Sequence, residues 1–297
     1  MQLTPMLAGA AFILGGVMNL PSSGGSQSAH DRSGAMAIRP EHIAFNVPDP
    51  PAMVRWYCAH LGMKAVREGS APTYGSFIAD SGGHIMLELY HQAECPVLEY
   101  RALDPASLHL AFAVDSMEGT RDALLASGAT PVEAISTTPS GDRVTMLRDP
   151  WGIPLQLVQR VSPMLSGGGV RPEHLAMNVD DARAVAGWYI SNLGMQTVRE
   201  SGAPSFGRFI GDAERRMLKE LYQNPTAPMI ACDSVEVMSL HLAYAVEDVA
   251  GTRDRLVAAG ARIARDLSGS AGGDTVLMMR DPWGVPIQFV HRGKPLL

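Results

Sequence analysis

The sequence predicts an α+β protein made of two tandem copies of one module, each carrying the order βαβββ twice. Three observations predict it. Arg39–Val47 reads RPEHIAFNV and Arg171–Val179 reads RPEHLAMNV, with only apolar exchanges between them, Ile43 by Leu175 and Phe45 by Met177. The register then persists. His42 and His174, Glu88 and Glu220, His109 and His241, Asp149 and Asp281, and Gln156 and Gln288 are each 132 residues apart. Residues 39–160 and 171–292 align on that offset without a gap at roughly half identity, which marks an internal duplication. Finally, in each copy period-two alternation gives way to a helical stretch and then returns, and it does so twice.

Taken in order, His42–Val47 alternates as a strand. DPPAMVRWYCAHLGM supplies a proline-rich helix start and a stop at Gly62. Lys64–Glu68, Tyr74–Ala79 and His84–Tyr90 are strands separated by the GSAP and DSGG turns. The second round has the strand SLHLAFAV and the helix SMEGTRDALLASG, then strands near Thr130–Ala134, Arg143–Arg148 and Pro154–Gln159. Asp149-Pro150-Trp151-Gly152 reads as a turn before the last strand, and the Trp56-Tyr57 and Trp188-Tyr189 pairs as helix packing. Residues 161–170, VSPMLSGGGV, form a glycine-rich linker short enough to keep the modules in contact.

The 297 residues suffice for two compact domains, and 46% hydrophobic with 18% charged residues excludes a disordered chain. The net charge of -6 is spread among interspersed charges without a basic patch, so nucleic acid is not an expected partner. Cys58, Cys95 and Cys232 are an odd count at unmatched repeat positions, which argues against a disulfide framework or a zinc cluster. Residues 1–38 read as a flexible segment or a signal peptide. MLAGAAFILGGVM is too short to span a bilayer but long enough for a signal-peptide core, while no Lys or Arg precedes it. The balance favours a cytoplasmic protein starting at Met36, with export through a signal peptide as the alternative.

The chemistry lies on the strand faces. Ile43, Phe45 and Val47 face a core, so His42 faces the other way with Ala44 and Asn46. His109 lies opposite Leu108, Leu110 and Phe112 in the same manner. Glu88 shares a face with Met86 and Tyr90, and Gln156 with Pro154 and Val158. Four strands thus each present one metal-competent side chain: His42, Glu88, His109 and Gln156, repeated as His174, Glu220, His241 and Gln288. Imidazole nitrogen with carboxylate and amide oxygen suits a divalent ion such as Fe(II), Zn, Ni or Mn, and no thiolate takes part. The residues leave open whether each set joins within a module or across the pair. Tyr90 and Tyr222 are candidate substrate contacts, Arg67 and Arg199 read as strand-end charges, and His60, His84 and His91 as surface residues.

The succession HIAFNV, WY, LGM, ELY, LHLAFAV and DPWGIPLQLV resembles the vicinal oxygen chelate superfamily of lactoylglutathione lyases, extradiol dioxygenases and bleomycin-resistance proteins. The resemblance spans residues 39–292. It implies paired βαβββ units in a cupped mixed sheet around one divalent ion, with the eight residues above as ligands. It also implies a metal-dependent lyase, isomerase or extradiol-type dioxygenase acting on a small oxygenated substrate held through two oxygens. Glu88 and Glu220 are then the catalytic proton carriers. The alternative is a non-catalytic, antibiotic-type binding protein of the same fold.

Two positions depart from the family pattern. Gln156 and Gln288 stand where metal-using members commonly have Glu, and Asn46 and Asn178 stand where lactoylglutathione lyases have an Arg that helps hold glutathione. Gln92 and Asn224 keep the amide four residues after each Glu. The expected partners are a small-molecule substrate and, at most, a second copy of the chain in a homodimer. No stable membrane span is expected.

Overall fold

The computed structural model describes residues 38–165, 167–270 and 272–297. The N-terminal apolar segment and the start at Met36 lie outside the described residues. The duplicated order appears as four βαβ-type units. The first is β1 (Arg39–Asn46), α1 (Pro50–His60), β2 (Lys64–Arg67), β3 (Ser76–Ala79) and β4 (Met86–Tyr90). The second is β5 (Leu108–Ala113), α2 (Met117–Ala126), β6 (Thr130–Pro131), β7 (Ser136–Thr137), β8 (Arg143–Arg148) and β9 (Pro154–Gln159). The third is β10 (Arg171–Asn178), α3 (Ala182–Leu193), β11 (Gln196–Glu200), β12 (Arg208–Gly211) and β13 (Leu218–Tyr222). The fourth is β14 (Leu240–Ala245), α4 (Val249–Ala258), β15 (Arg262–Gly269), β16 (Thr275–Arg280) and β17 (Pro286–His291). Among the described residues no helix is long and apolar enough to cross a membrane, and the three cysteines are free.

Local chemistry sets the boundaries. Asp49 caps α1 by accepting from Ala52 N at 3.0 Å, with Pro50 and Pro51 opening the helix. Gly62 and Gly194 follow α1 and α3 with φ of +66° and +69°, the left-handed region that glycine enters without a Cβ penalty. The expected strand at Thr130–Ala134 shrinks to Thr130–Pro131. Pro131 has no N–H to donate, and the N–H groups of Val132 and Glu133 both go to Met146 O. Its repeat counterpart, β15, lacks that proline and runs eight residues.

Each sheet contains two βαβββ units, but the two come from different repeats. The eight-stranded sheet runs β15-β16-β17-β14-β1-β4-β3-β2, joining the first unit to the fourth. The nine-stranded sheet runs β11-β12-β13-β10-β5-β9-β8-β6, joining the third to the second, with β7 on β8. The central seams, β1 with β14 and β10 with β5, are antiparallel, while β1–β4, β10–β13, β14–β17 and β5–β9 are parallel. Each seam covers two strands that would otherwise be open edges.

One continuous apolar core lies on the helix side of both sheets. It includes Ile43, Phe45, Val47, Leu110, Phe112, Leu175 and Tyr189. The alternation expected for β1 and β5 therefore holds, and burying each such side chain contributes roughly 1.5–3 kcal/mol. The linker is only partly loose. Met164 and Leu165 are buried against Phe209 and Leu218 of the nine-stranded sheet, and at the matching repeat position Leu296 packs on Phe77 and Met86 of the other sheet.

Candidate metal centres

Register brings the expected side chains together across repeats. On the seam of the eight-stranded sheet His42 lies opposite Ala243 and Ala44 opposite His241. Ala44 pairs in turn with Glu88, and Ala243 with Gln288. Directly paired residues share a face, so His42, Glu88, His241 and Gln288 converge on one concave surface with two alanines between them. The nine-stranded sheet repeats this with His174 opposite Ala111, Ala176 opposite His109, and Glu220 and Gln156 on the flanking strands. We call the two surfaces the 42/241 cup and the 174/109 cup. The alternative left open by the residues is thereby resolved in favour of partners across repeats.

In each cup a donor atom from two histidines and a glutamate lies within 4.8 Å of the other two: His42, Glu88 and His241 in one, His174, Glu220 and His109 in the other. The Nε2 atoms of all four histidines are buried and make no hydrogen bond. Those of His42 and His174 stand 3.2 Å and 3.0 Å from the carboxylates of Glu88 and Glu220. Each Nδ1 faces a group that can only accept. His42 donates to Glu41 at 2.7 Å and His174 to Glu173 at 2.8 Å, while His241 donates to Val237 O at 2.9 Å and His109 to Pro105 O at 2.8 Å. A ring proton therefore sits on Nδ1, so in the neutral form of each ring the Nε2 lone pair points toward the centre of the cup. A buried nitrogen without a partner is costly unless something electrophilic meets it.

Sequence reasoning missed the supporting groups. Glu41 is held by Arg292, with Nε and Nη2 each 2.9 Å from its oxygens, and Arg292 Nη1 reaches Asp274 at 2.8 Å. Glu173, Arg160 and Asp142 repeat the arrangement at 2.6–3.1 Å. Alternation alone would send Glu41 to the face opposite His42. A bulge between Pro40 and His42, matched by one between Pro172 and His174, turns both side chains toward the same region. The signal was present in the sequence, because residues 41, 142 and 160 recur 132 positions later.

These contacts set the electrostatics. Burial opposes the charged imidazolium at His42 and His174, but the two carboxylates beside each ring outweigh it and raise both pKa values. Burial and then the neighbouring His lower His109 and His241 to about 4. Burial works against the Glu88 and Glu220 carboxylates too, yet His42 and His174 keep both below the usual range. Glu41 and Glu173 are held at about 2, burial being overcome by His42 with Arg292 and by His174 with Arg160. Each cup thus offers a neutral imidazole, a carboxylate and a second imidazole flanked by negative charge.

The remaining candidates divide. Gln288 lies in its cup beside Ala243, and its amide nitrogen donates to Met278 Sδ at 3.3 Å. Gln156 occupies the matching place beside Ala111. Tyr90 and Tyr222 share the glutamates' strands, but their hydroxyls donate across the repeats to Met238 O at 2.6 Å and Ala106 O at 2.7 Å. Asn46 and Asn178 are spent on backbone: each donates to carbonyls of the following loop, Cys95 O at 2.9 Å and Asn224 O at 2.9 Å, and accepts from Gln92 N and Asn224 N.

Arg67 covers the Phe77 ring at 4.4 Å, and Arg199 pairs with Asp142 at 2.8 Å rather than standing free. Trp56 and Trp188 pack as expected, donating to Ser127 O and Ala259 O. Asp149 does more than form a turn: it is buried and accepts from Tyr57 Oη at 2.9 Å. His60, His84 and His91 lie outside both cups, on Ser127, Asp80 and Val47 O.

Residues 39–157 match the Glyoxalase/Bleomycin resistance protein/Dioxygenase superfamily, and residues 174–290 match the Glyoxalase-like domain. The chain belongs to this superfamily, as a tandem glyoxalase-like and dioxygenase-like protein. Its structure is similar to glyoxalase I from Zea mays, with a TM-score of 0.70 and 19% identity over 86% of this chain and 93% of that one. It is also similar to a putative dioxygenase from Bacillus subtilis, with a TM-score of 0.60 and 14% identity over 87% and 86% of the two chains. At these identities the likeness is one of fold. No curated protein sequence matches the chain.

Proposed function

We propose that each cup holds one divalent ion through two histidine Nε2 atoms and one glutamate, with the glutamine amide as a further oxygen donor, and that the protein is an enzyme acting on a small substrate with two neighbouring oxygens. The observation that carries this is the pair of buried, unpartnered imidazole nitrogens aimed at one carboxylate, made twice in one chain. Two imidazoles and a carboxylate suit Fe(II), Mn, Ni or Zn. When bound, such an ion supplies Lewis acidity and a template for the two oxygens.

The chain's residues do the rest. Glu41 and Glu173 orient their histidines and keep the Nδ1 tautomer. Glu88 and Glu220, ionised and at the floor of each cup, are the groups able to take a proton from a substrate carbon or hydroxyl. Gln288 and Gln156 are neutral and cannot share that task. Asn46 and Asn178, tied to backbone, offer no cation for a glutathione carboxylate, so little or no turnover of the methylglyoxal–glutathione adduct is expected.

Elemental analysis of the purified and reconstituted chain tests the reading. Two equivalents of divalent metal per chain are expected, both lost in the double substitution His42→Ala with His174→Ala. A protein that takes up no metal would overturn the enzyme reading in favour of a metal-free binding protein. Efficient turnover of the methylglyoxal–glutathione adduct would overturn the argument from the glutamines and asparagines.

A further inference from the structure

The two cups carry opposite charge at the same place on their rims. Arg265 and Glu133 are repeat equivalents, 132 residues apart. In the 42/241 cup a lateral row of paired residues runs from His42 through Ala243, Gln288 and Met278 to Arg265. Arg265 therefore stands on the cup face, at the outer strand. Its Nη2 lies 2.8 Å from Glu236 Oε1 and 4.0 Å from Cys95 Sγ. Cys95 belongs to the loop after β4, which Asn46 holds, so the guanidinium reaches from the fourth unit to the first. Its side chain is 50% exposed, leaving donors for a further partner.

In the 174/109 cup the row runs from His174 through Ala111 and Gln156 to Met146. Glu133 N donates to Met146 O at 3.0 Å at its outer end. The equivalent of Glu236 is Asp104, and that of Cys95 is Ala227. Glu133 thus has a second carboxylate, Asp104, near enough to act on its charge where Arg265 has a counter-ion. Burial, and then Asp104, push its pKa up.

We propose that the two cups select substrates that differ in charge. The 42/241 cup takes a vicinal-oxygen compound carrying a carboxylate or similar anion that Arg265 binds. The 174/109 cup takes one that is neutral or cationic at that end. Arg265 and Glu133 are the specificity-determining residues. This rests on reading both cups as metal centres.

The test uses the full chain loaded with Co(II), with cobalt stoichiometry measured first. His174→Ala leaves the 42/241 cup and His42→Ala leaves the 174/109 cup. The probes are catechol and its carboxylated analogue protocatechuate, titrated on the visible cobalt bands. Their intrinsic difference cancels when the affinity ratio is compared between cups. The ratio of protocatechuate to catechol affinity is expected to be about tenfold higher in the 42/241 cup. Arg265→Glu should lower it about tenfold without changing cobalt content, and Glu133→Arg should raise it in the other cup. In the otherwise native chain, Arg265→Glu alone should remove the tighter of two protocatechuate phases, which covers the case of a histidine variant that misfolds. Equal ratios in the two cups, or a ratio indifferent to Arg265→Glu, would overturn the charge selection alone. Failure of both probes at cobalt-loaded cups would overturn the underlying site reading.

Discussion

The 42/241 cup and the 174/109 cup agree in every group that touches their centres and differ in those around them. Both have two histidines, a glutamate, a glutamine, an orienting glutamate and a half-buried arginine behind it. Beneath His42 and His174 lie Phe77 and Phe209, edge-on with ring centroids 5.2 Å away in each case. Divergence begins one layer out. Asp142 binds both Arg160 and Arg199, whereas its equivalent Asp274 binds Arg292 and Arg67 covers Phe77 instead. The rims oppose Arg265 to Glu133. On the far face, Leu87 of one sheet corresponds to a buried Lys219 in the other. The cups therefore share the same centre, and they vary where a substrate or the core would register the change.

The sharpest way to break this comparison is to remove histidines in pairs. Because each cup joins both repeats, His42→Ala with His241→Ala should leave one equivalent of metal per chain, as should His109→Ala with His174→Ala. His42→Ala with His109→Ala should leave none, although both substitutions lie in the first repeat. Retention of one equivalent in that last variant would mean that ligands join within a repeat in solution, contrary to the seam register.

Next in size is the orienting carboxylate. Glu41→Gln keeps an acceptor for His42 Nδ1 but removes the charge and weakens the hold of Arg292. Metal affinity in the 42/241 cup should fall roughly 10–100-fold, measured by competition with a chelator. The other cup serves as an internal reference, and Glu173→Gln should reverse the pattern. A loss shared equally by both cups would show that the two centres are not independent.

A smaller effect of opposite sign is expected from the glutamines. Gln288→Glu adds a carboxylate beside Ala243, facing His42, and should tighten the 42/241 cup by about tenfold because an anionic oxygen replaces a neutral one. Gln156→Glu should do the same for the 174/109 cup. Unchanged affinity would place the glutamines outside the coordination sphere and leave three protein ligands.

Much of this was legible in the chain because strand periodicity is rigid. Once Ile43, Phe45 and Val47 are assigned to the core, His42 has one face left, and the 132-residue offset checks the assignment in a second copy. Two things were not legible. Which strands meet at the seam is a choice between chemically equivalent edges, since β5 fits β1 as readily as β10 by pattern; only the three-dimensional packing decides. Glu41 was hidden by its bulge, an inserted residue that breaks the alternation on which face assignment depends. Nor did the sequence say what Asn46 and Asn178 do in place of the family's Arg: loop carbonyls accept from both.

The smallest expected effect, and the one that compares the two cores, concerns Lys219. It occupies the position of Leu87 and is 3% exposed. Its Nζ lies 3.2 Å from Tyr189 Oη and 4.4 Å from that ring's centroid. Burial lowers its pKa, opposed by Asp281, which in turn accepts from Tyr189 Oη at 2.8 Å. A lysine whose folded pKa lies below its unfolded value of about 10.4 binds its proton less well when folded. Its contribution to stability is therefore present above the unfolded pKa and is lost as pH falls through the folded one. Lys219→Leu should remove that loss, because the first repeat shows the same site accommodating Leu87 beside Tyr57 and Asp149. We expect a gain of about 1–2 kcal/mol near neutral pH, narrowing toward pH ~10, read from urea unfolding at several pH values. Asp281, deprived of its cation, should then titrate closer to Asp149, which burial raises to about 6. A variant less stable than the native chain at neutral pH would show instead that the attraction between Lys219 and Asp281 exceeds the cost of burying the lysine.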